Sequence, residues 1–288
     1  MPPGPAPLAL ETTLLVHGVP ARSAPALDRE LRAICEEQGA TPALVGVVEG
    51  RPVVGMSEGE LAELLEQGTS VNKANSANLG VLCHWGSHAA TTVSATMELA
   101  SAAGVRVLST GGLGGVHKGY GCNLDVSADL GAFTRFPVAV VASGVKSLLD
   151  VGSTREALET LGVPVIGFRT DAFPAFYTRD SGHGVDARID DVAELSRYLA
   201  RELDRTGRGV LVCNPIPGGD ELDPNAFASW LKQAEEEAED EGIAGRAVTP
   251  FLLGRLHELS DGRTLEANLA LVRSNVRLGA QLARAMPA

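Results

Sequence analysis

FPVAVVASGVKSLLD, residues 136–150, carries the reading of the fold. FPVAVVA has the β-branched, uninterrupted apolar character of a strand, and the SGVKSLLD that follows sits where the chain turns toward a helix. The same alternation recurs along the sequence. PALDRELRAICEEQG places Leu27, Leu31 and Ile34 on one helical face, and TPALVGVVEGRPVVGM reads as two strands joined by a tight turn. SEGELAELLEQG opens with Ser57 and Glu60 in capping-box spacing. TTVSATMELASAAG and VRVLST then give a helix and a buried strand. STREALETLG, with its own cap, and VPVIGF repeat the pattern, as do DDVAELSRYLARELDRTG and GVLVCN; three helical segments close the chain. Strands alternating with helices predict an α/β fold, a three-layer α/β/α sandwich around a mostly parallel or mixed central sheet.

The 288 residues suit one domain, taken as 9–288 after a loose Pro-rich lead-in at 1–8. A formal charge of −12, with no clustered Lys or Arg, excludes a nucleic-acid surface. No apolar run reaches the roughly 20 residues that span a bilayer, and MPPGPAPLAL lacks a signal peptide's basic start, so no membrane partner and a cytoplasmic location are expected. Cys35, Cys83, Cys122 and Cys213 are widely scattered and read as reduced thiols, mostly buried.

In open α/β sheets ligands gather beyond the carboxyl ends of strands. After VRVLST comes GGLGGVHKGYG, whose glycines read as a phosphate cradle or as a flexible loop. LDVSADL carries Asp125, Ser127 and Asp129: a hard-cation site for Mn²⁺ or Mg²⁺ is one reading, a helix cap for Ser127 or Asp129 the other. Lys146 follows FPVAVVA in a chain with four lysines among 24 basic residues. Arginine could hold a phosphate there, but only lysine can become a neutral amine nucleophile. Partial burial, a helix N-terminus and a nearby cation would each favour that form; the bland alternative is a packed stem with its ammonium in solvent. Glu11, between apolar neighbours in LALETTLL, is either a general acid with a raised pKa or an edge residue. Lys73 and Lys118 are either phosphate partners or solvated. Asn268 and Asn275, seven apart on the last helix, face one way; His84 and His88, four apart, could face together as a metal pair, but without a placed third ligand they read as packing or loop structure. No G-x-S-x-G, H-E-x-x-H or Rossmann fingerprint is present.

Ten co-linear blocks, among them ALETTLLVHGVP, SHAATTVSATM, STGGLGGVHKG, LDVSADL, GVKSLLD, FPAFYTRDSG, NPIP and LEANLALV, resemble the pseudouridine-5′-phosphate glycosidases, also called the indigoidine synthase A family. The resemblance implies reversible cleavage of the C1′–C5 bond between ribose 5-phosphate and uracil through a lysine Schiff base and a divalent metal, usually Mn²⁺. It places the nucleophile at Lys146, the proton-transfer carboxylate at Glu11 and the metal ligand at Asp125. Substrate contacts fall at Lys73, Val93, His117, Ser127, Ala128 and Asp129, with Asn268 near the base. It also implies a homotrimer.

Two departures stand out. KANSANL replaces the family's K-V-S-R-R-D-L, with Ser76, Ala77 and Asn78 in place of two arginines and the aspartate. The family's H-R-G becomes His117, Lys118 and Gly119, with Gly121 and Asn123 at its following glutamate and threonine positions. These changes favour a C-glycosynthase that joins ribose 5-phosphate to a small heterocycle other than uracil. Ordinary pseudouridine-5′-phosphate breakdown is the alternative. A phosphosugar kinase or non-catalytic phosphosugar-binding protein is the reading from another class.

Overall fold

The structure, a computed structural model, describes residues 4–119, 121, 124–243 and 248–287. Among them ten strands form one sheet: β1 (Pro7–Glu11), β2 (Thr41–Val48), β3 (Arg51–Val54), β4 (Asn72–Ala74), β5 (Ala89–Thr91), β6 (Val107–Ser109), β7 (Ala139–Ala142), β8 (Val165–Phe168), β9 (Ala187–Ile189) and β10 (Val210–Cys213). The spatial order is β4-β5-β2-β1-β6-β7-β10-β8-β9, with β3 on β2. β2 meets β3 and β5 antiparallel, and the remaining pairings are parallel, so the sheet is mixed.

The strands read as continuous apolar runs because both faces are covered. On one face Leu8, Leu10, Val107, Val141, Val210 and Val212 pack beneath α1 (Ala24–Glu37), α2 (Glu58–Gln67), α7 (Val192–Thr206) and the long α10 (Arg263–Ala285). Their alternates Ala9, Leu108, Val140, Leu211 and Cys213 face α4 (Val93–Ala102), α5 (Ala128–Phe133) and α6 (Val151–Thr160). This is the expected three-layer sandwich. A smaller cluster holds α3 (Leu79–His84) against the β4–β5 end, and α9 (Val248–Leu259) packs on α8 (Pro224–Asp240).

Local chemistry sets the boundaries. Ser57 and Glu60 form the reciprocal capping box at the start of α2. The helix expected at STREALETLG starts at Val151, and its cap is Asp150, whose carboxylate accepts from the Ser153 amide at 2.8 Å. The ordered chain begins before residue 9: β1 starts at Pro7, Leu8 is fully buried, and Thr41 donates to the Pro5 carbonyl at 2.7 Å. Pairing in register with Thr41 and Pro42 of β2 is what draws this Pro-rich segment into the sheet. Residues 1–3 lie outside the described residues.

Candidate active site

Three adjacent strands deliver the site. β1 ends on Glu11; β6 runs out into Thr110, Gly111 and Gly112; β7 runs out into Ser143, Gly144, Val145 and Lys146. Because β1, β6 and β7 are parallel neighbours, their carboxyl ends open on the same edge. Glu11, Thr110 and Lys146 line one cavity of about 380 Å³ with Lys73 from β4 and Asn268 from α10. Thus Lys146, Glu11, Lys73 and Asn268, chosen from sequence, meet in one place.

Gly144 makes the turn that presents Lys146. Its φ of +73° lies in the left-handed region, and a Cβ there would sit 1.8 Å from the Pro174 carbonyl oxygen. The Lys146 amide donates to the Leu113 carbonyl at 3.1 Å, which fixes the lysine's backbone on the neighbouring glycine loop. The helix expected directly after Lys146 starts only at Val151.

Burial raises the pKa of Glu11. Lys146, the Thr110 hydroxyl that donates to its carboxylate and, more weakly, Lys73 pull it down; Asp129 pushes it up, and burial prevails. Lys73 is lowered by desolvation at the cavity wall and by the charge of Lys146, against the opposing pull of Glu11. His17, which also lines the cavity, is lowered by burial and by Lys73, so its imidazole is held toward the neutral form. The site therefore pairs a carboxyl able to keep its proton with amines whose charges act on one another, the combination that proton transfer and amine nucleophilicity require.

The other sequence candidates lie outside that cavity. Val93 is the buried first residue of α4. Ser127 caps α5, accepting from the Asp129 amide at 3.2 Å, and Ala128 is that helix's first residue. Asp129 is buried, and its two oxygens accept from the amides of Ser94 and Gly114, each at 2.9 Å. It reaches the site through its charge on Glu11.

Asp125 is exposed, with one carboxylate oxygen 3.7 Å from His117 Nδ1. Among the described residues no three His, Cys, Asp or Glu side chains are grouped to hold a metal, His84 and His88 included. A lone accessible carboxylate beside an imidazole fits a hard cation that keeps most of its water. Asp125, with His117, would hold it. His117 and Lys118 instead border a second cavity of about 320 Å³, where Lys118 pairs with Glu235 at 2.7 Å.

Residues 113–117 of the glycine segment are tied down by hydrogen bonds and do not form an open cradle. The amides of Leu113, Gly114, Val116 and His117 donate to Gly144 O, Asp129 Oδ2, Thr154 Oγ1 and Asp125 O. Its glycines permit close packing: a Cβ on Gly112 would stand 2.5 Å from the Phe176 ring. The KANSANL departure forms a hydrogen-bonded turn that is also tied to Ser94 and Arg135. Asn78 Oδ1 accepts from the Asn75 amide at 2.8 Å, Asn78 Nδ2 donates to the Lys73 carbonyl at 3.0 Å, and Ser76 Oγ accepts from Arg135 at 3.0 Å. Ser76, Ala77 and Asn78 do not line the Glu11 cavity. Cys122 and Asn123 lie outside the described residues; Cys35 and Cys213 are buried free thiols and Cys83 is half-buried.

Sequence reasoning missed Thr110, His17, Phe176, Tyr177 and His257, all of which line the cavity. Thr110 was within reach as the residue that follows β6. His17 sits in a π-helical turn, Leu14–Gly18, a rare form that favours functional sites but leaves no sequence pattern. Phe176 adopts φ +60° and donates its amide to the Ser143 carbonyl at 2.8 Å, a left-handed aromatic that no periodicity announces.

Residues 4–285 match the family model described as Indigoidine synthase A like protein. A pseudouridine-5′-phosphate glycosidase from Jannaschia sp. (strain CCS1) is 47% identical over 287 residues, covering 98% of this chain and 93% of that protein. One from Nocardioides sp. (strain ATCC BAA-499 / JS614) is 46% identical over 278 residues, 96% and 90% of the two chains. Among solved structures, an indigoidine synthase A-like protein from Thermotoga maritima superposes with a TM-score of 0.88 at 39% identity, over 96% of this chain and 91% of the other. The prealnumycin C-glycosynthase AlnA, solved with ribulose 5-phosphate, gives 0.89 at 32% identity, over 97% and 91%. On the match across nearly its whole length, this chain belongs to the indigoidine synthase A-like family.

Proposed function

We propose that the protein is a pseudouridine-5′-phosphate glycosidase, which cleaves reversibly the C1′–C5 bond between ribose 5-phosphate and uracil through a Schiff base on Lys146. The observation that carries this reading is Glu11, with its raised pKa, in one cavity with Lys146, Lys73 and Asn268. A carbon leaving group offers no oxygen to protonate, so the two-carboxylate route of ordinary glycosidases does not apply. An amine supplies the electron sink instead. The neutral Lys146 amine bonds to C1′ as the C1′–O4′ bond breaks, and O4′ takes the proton that the nitrogen gives up, leaving a secondary amine with its lone pair. The nitrogen lone pair then forms the C1′=N iminium while the C1′–C5 bond breaks, its electron pair going to C5, which takes the proton held by Glu11. Water adds to the iminium and releases ribose 5-phosphate and the free amine. Run backward, the same steps join the two fragments.

Lys73 is suited to the substrate's phosphate. Asn268, whose Oδ1 is buried with no partner among the described residues, suits an N–H of the base. A hydrated divalent cation, Mn²⁺ or Mg²⁺, held by Asp125 belongs to this reading on the family resemblance and would supply positive charge. The contacts at Val93, Ser127, Ala128 and His117, a homotrimer and a cytoplasmic location belong to this reading on the family resemblance. For Asp129, buried on two amides, the role is electrostatic support of Glu11.

The C-glycosynthase favoured by the sequence departures is the less supported version. Its main argument is KANSANL, whose replaced residues Ser76, Ala77 and Asn78 do not line the cavity. AlnA supports it at lower identity than the named glycosidases. A kinase or passive binding protein finds no counterpart among the relatives named. Incubation with pseudouridine 5′-phosphate and Mn²⁺ tests the proposal: uracil release with equimolar ribose 5-phosphate is expected, and absence of uracil release refutes it.

A further inference from the structure

Beneath the cavity the carboxyl ends of three strands are joined by one side chain. Asn275, on α10, is fully buried. Its Nδ2 donates to the Thr110 carbonyl at 2.8 Å and to Ser143 Oγ at 3.1 Å. Its Oδ1 accepts from Asn214 Nδ2 at 2.9 Å. Ser143 Oγ in turn donates to the Asn214 carbonyl at 2.8 Å. Thr110 follows β6, Ser143 follows β7 and Asn214 follows β10, so a single amide with both donors and its acceptor engaged ties the three strand ends together.

Two of those ends carry chemistry. Thr110 donates its hydroxyl to Glu11, and Ser143 starts the four-residue turn that ends on Lys146. We propose that Asn275 is a positioning residue: its buried amide holds the proton donor and the amine nucleophile in register by clamping Thr110 and Ser143. The inference rests on the Schiff-base reading above. Asn275 does not itself line the cavity, and its effect passes through the backbone of Thr110, which does, and through Ser143. Small displacements of reacting groups lower rates steeply, by about 100-fold for an ångström, which is why a fully satisfied amide belongs here.

The groups that act on Glu11 are Lys146 from the turn after β7, Lys73 from β4 and Asp129 from α5, with Thr110 as its hydrogen-bond donor. His17 and His257 share the cavity. The Thr110 bond favours the ionised carboxylate, so loosening Thr110 moves the basic limb of the cleavage profile upward.

The experiment compares Asn275→Ala, Thr110→Val and the double variant, measuring kcat, KM, the pH profile and the rate of borohydride trapping with ribose 5-phosphate. Asn275→Ala is expected to lower kcat by about 100-fold with KM moved less than about threefold. Its basic limb should shift upward as in Thr110→Val, and the double variant should be no worse than the poorer single. Ser143→Ala, which deletes one hydroxyl and leaves the packing, should show a smaller effect in the same direction and serves if Asn275→Ala does not fold. A lower Tm with kcat and pH profile unchanged, or additive losses in the double variant, would overturn the proposal. If the wild type releases no uracil but forms the adduct, the substrate assignment fails and trapping rates alone decide the role of Asn275. No adduct in the wild type overturns both.

Discussion

Glu11 and Lys146 divide the chemistry, and each makes its own prediction. Burial raises the Glu11 pKa. As the acid in cleavage it acts while protonated, so cleavage is lost as pH rises through that raised value, and the basic limb lies above the usual carboxylate range. Synthesis needs the ionised form and is lost as pH falls through the same value. Opposite limbs for the two directions, measured as kcat/KM against pH, check the assignment. Glu11→Gln is expected to lower kcat by about 10²–10⁴-fold and to erase that limb. Lys146→Arg keeps the charge and removes the amine nucleophile, so uracil release should vanish while phosphosugar binding, measured by calorimetry, survives.

The turn from β7 to Lys146 shows what local structure demands. Gly144→Ala would place a Cβ against the Pro174 carbonyl at positive φ, and strain alone should cost at least about 1–3 kcal/mol, read as a fall in Tm together with lost activity. Ser57→Ala, at the capping box of α2 and outside the lining of the cavity, should cost about 1 kcal/mol and leave kcat unchanged. The contrast separates turns that carry chemistry from those that carry only stability.

The long elements were legible because their patterns are strong: α7 and α10 bury one stripe each, β7 and β10 are apolar throughout, and β2 is buried from Ala43 onward. β4, β5 and β9, three residues each, are too short to show a period, and with them went the placement of Lys73 in a strand. Glu11 and Lys146 could be read from strand ends, since residue type and position coincide there. The glycine segment could not: its donors are taken by residues from 125 to 154 that only the fold brings close.

Across the molecule, two helical layers cover the ten-stranded sheet, and β1, β6 and β7 end on one edge that gathers the residues the proposed reaction needs. If a cation on Asp125 assists, chelation should lower kcat, and Asp125→Asn should require more Mn²⁺ for the same rate, followed by titration of activity against metal. The amine at Lys146 remains the decisive feature. Mass spectrometry of the protein treated with ribose 5-phosphate and borohydride tests it most directly. A single adduct, equal to ribose 5-phosphate less one water plus two hydrogens and mapped to the peptide bearing Lys146, is expected. No adduct, or one that persists in Lys146→Ala, would contradict the Schiff-base mechanism.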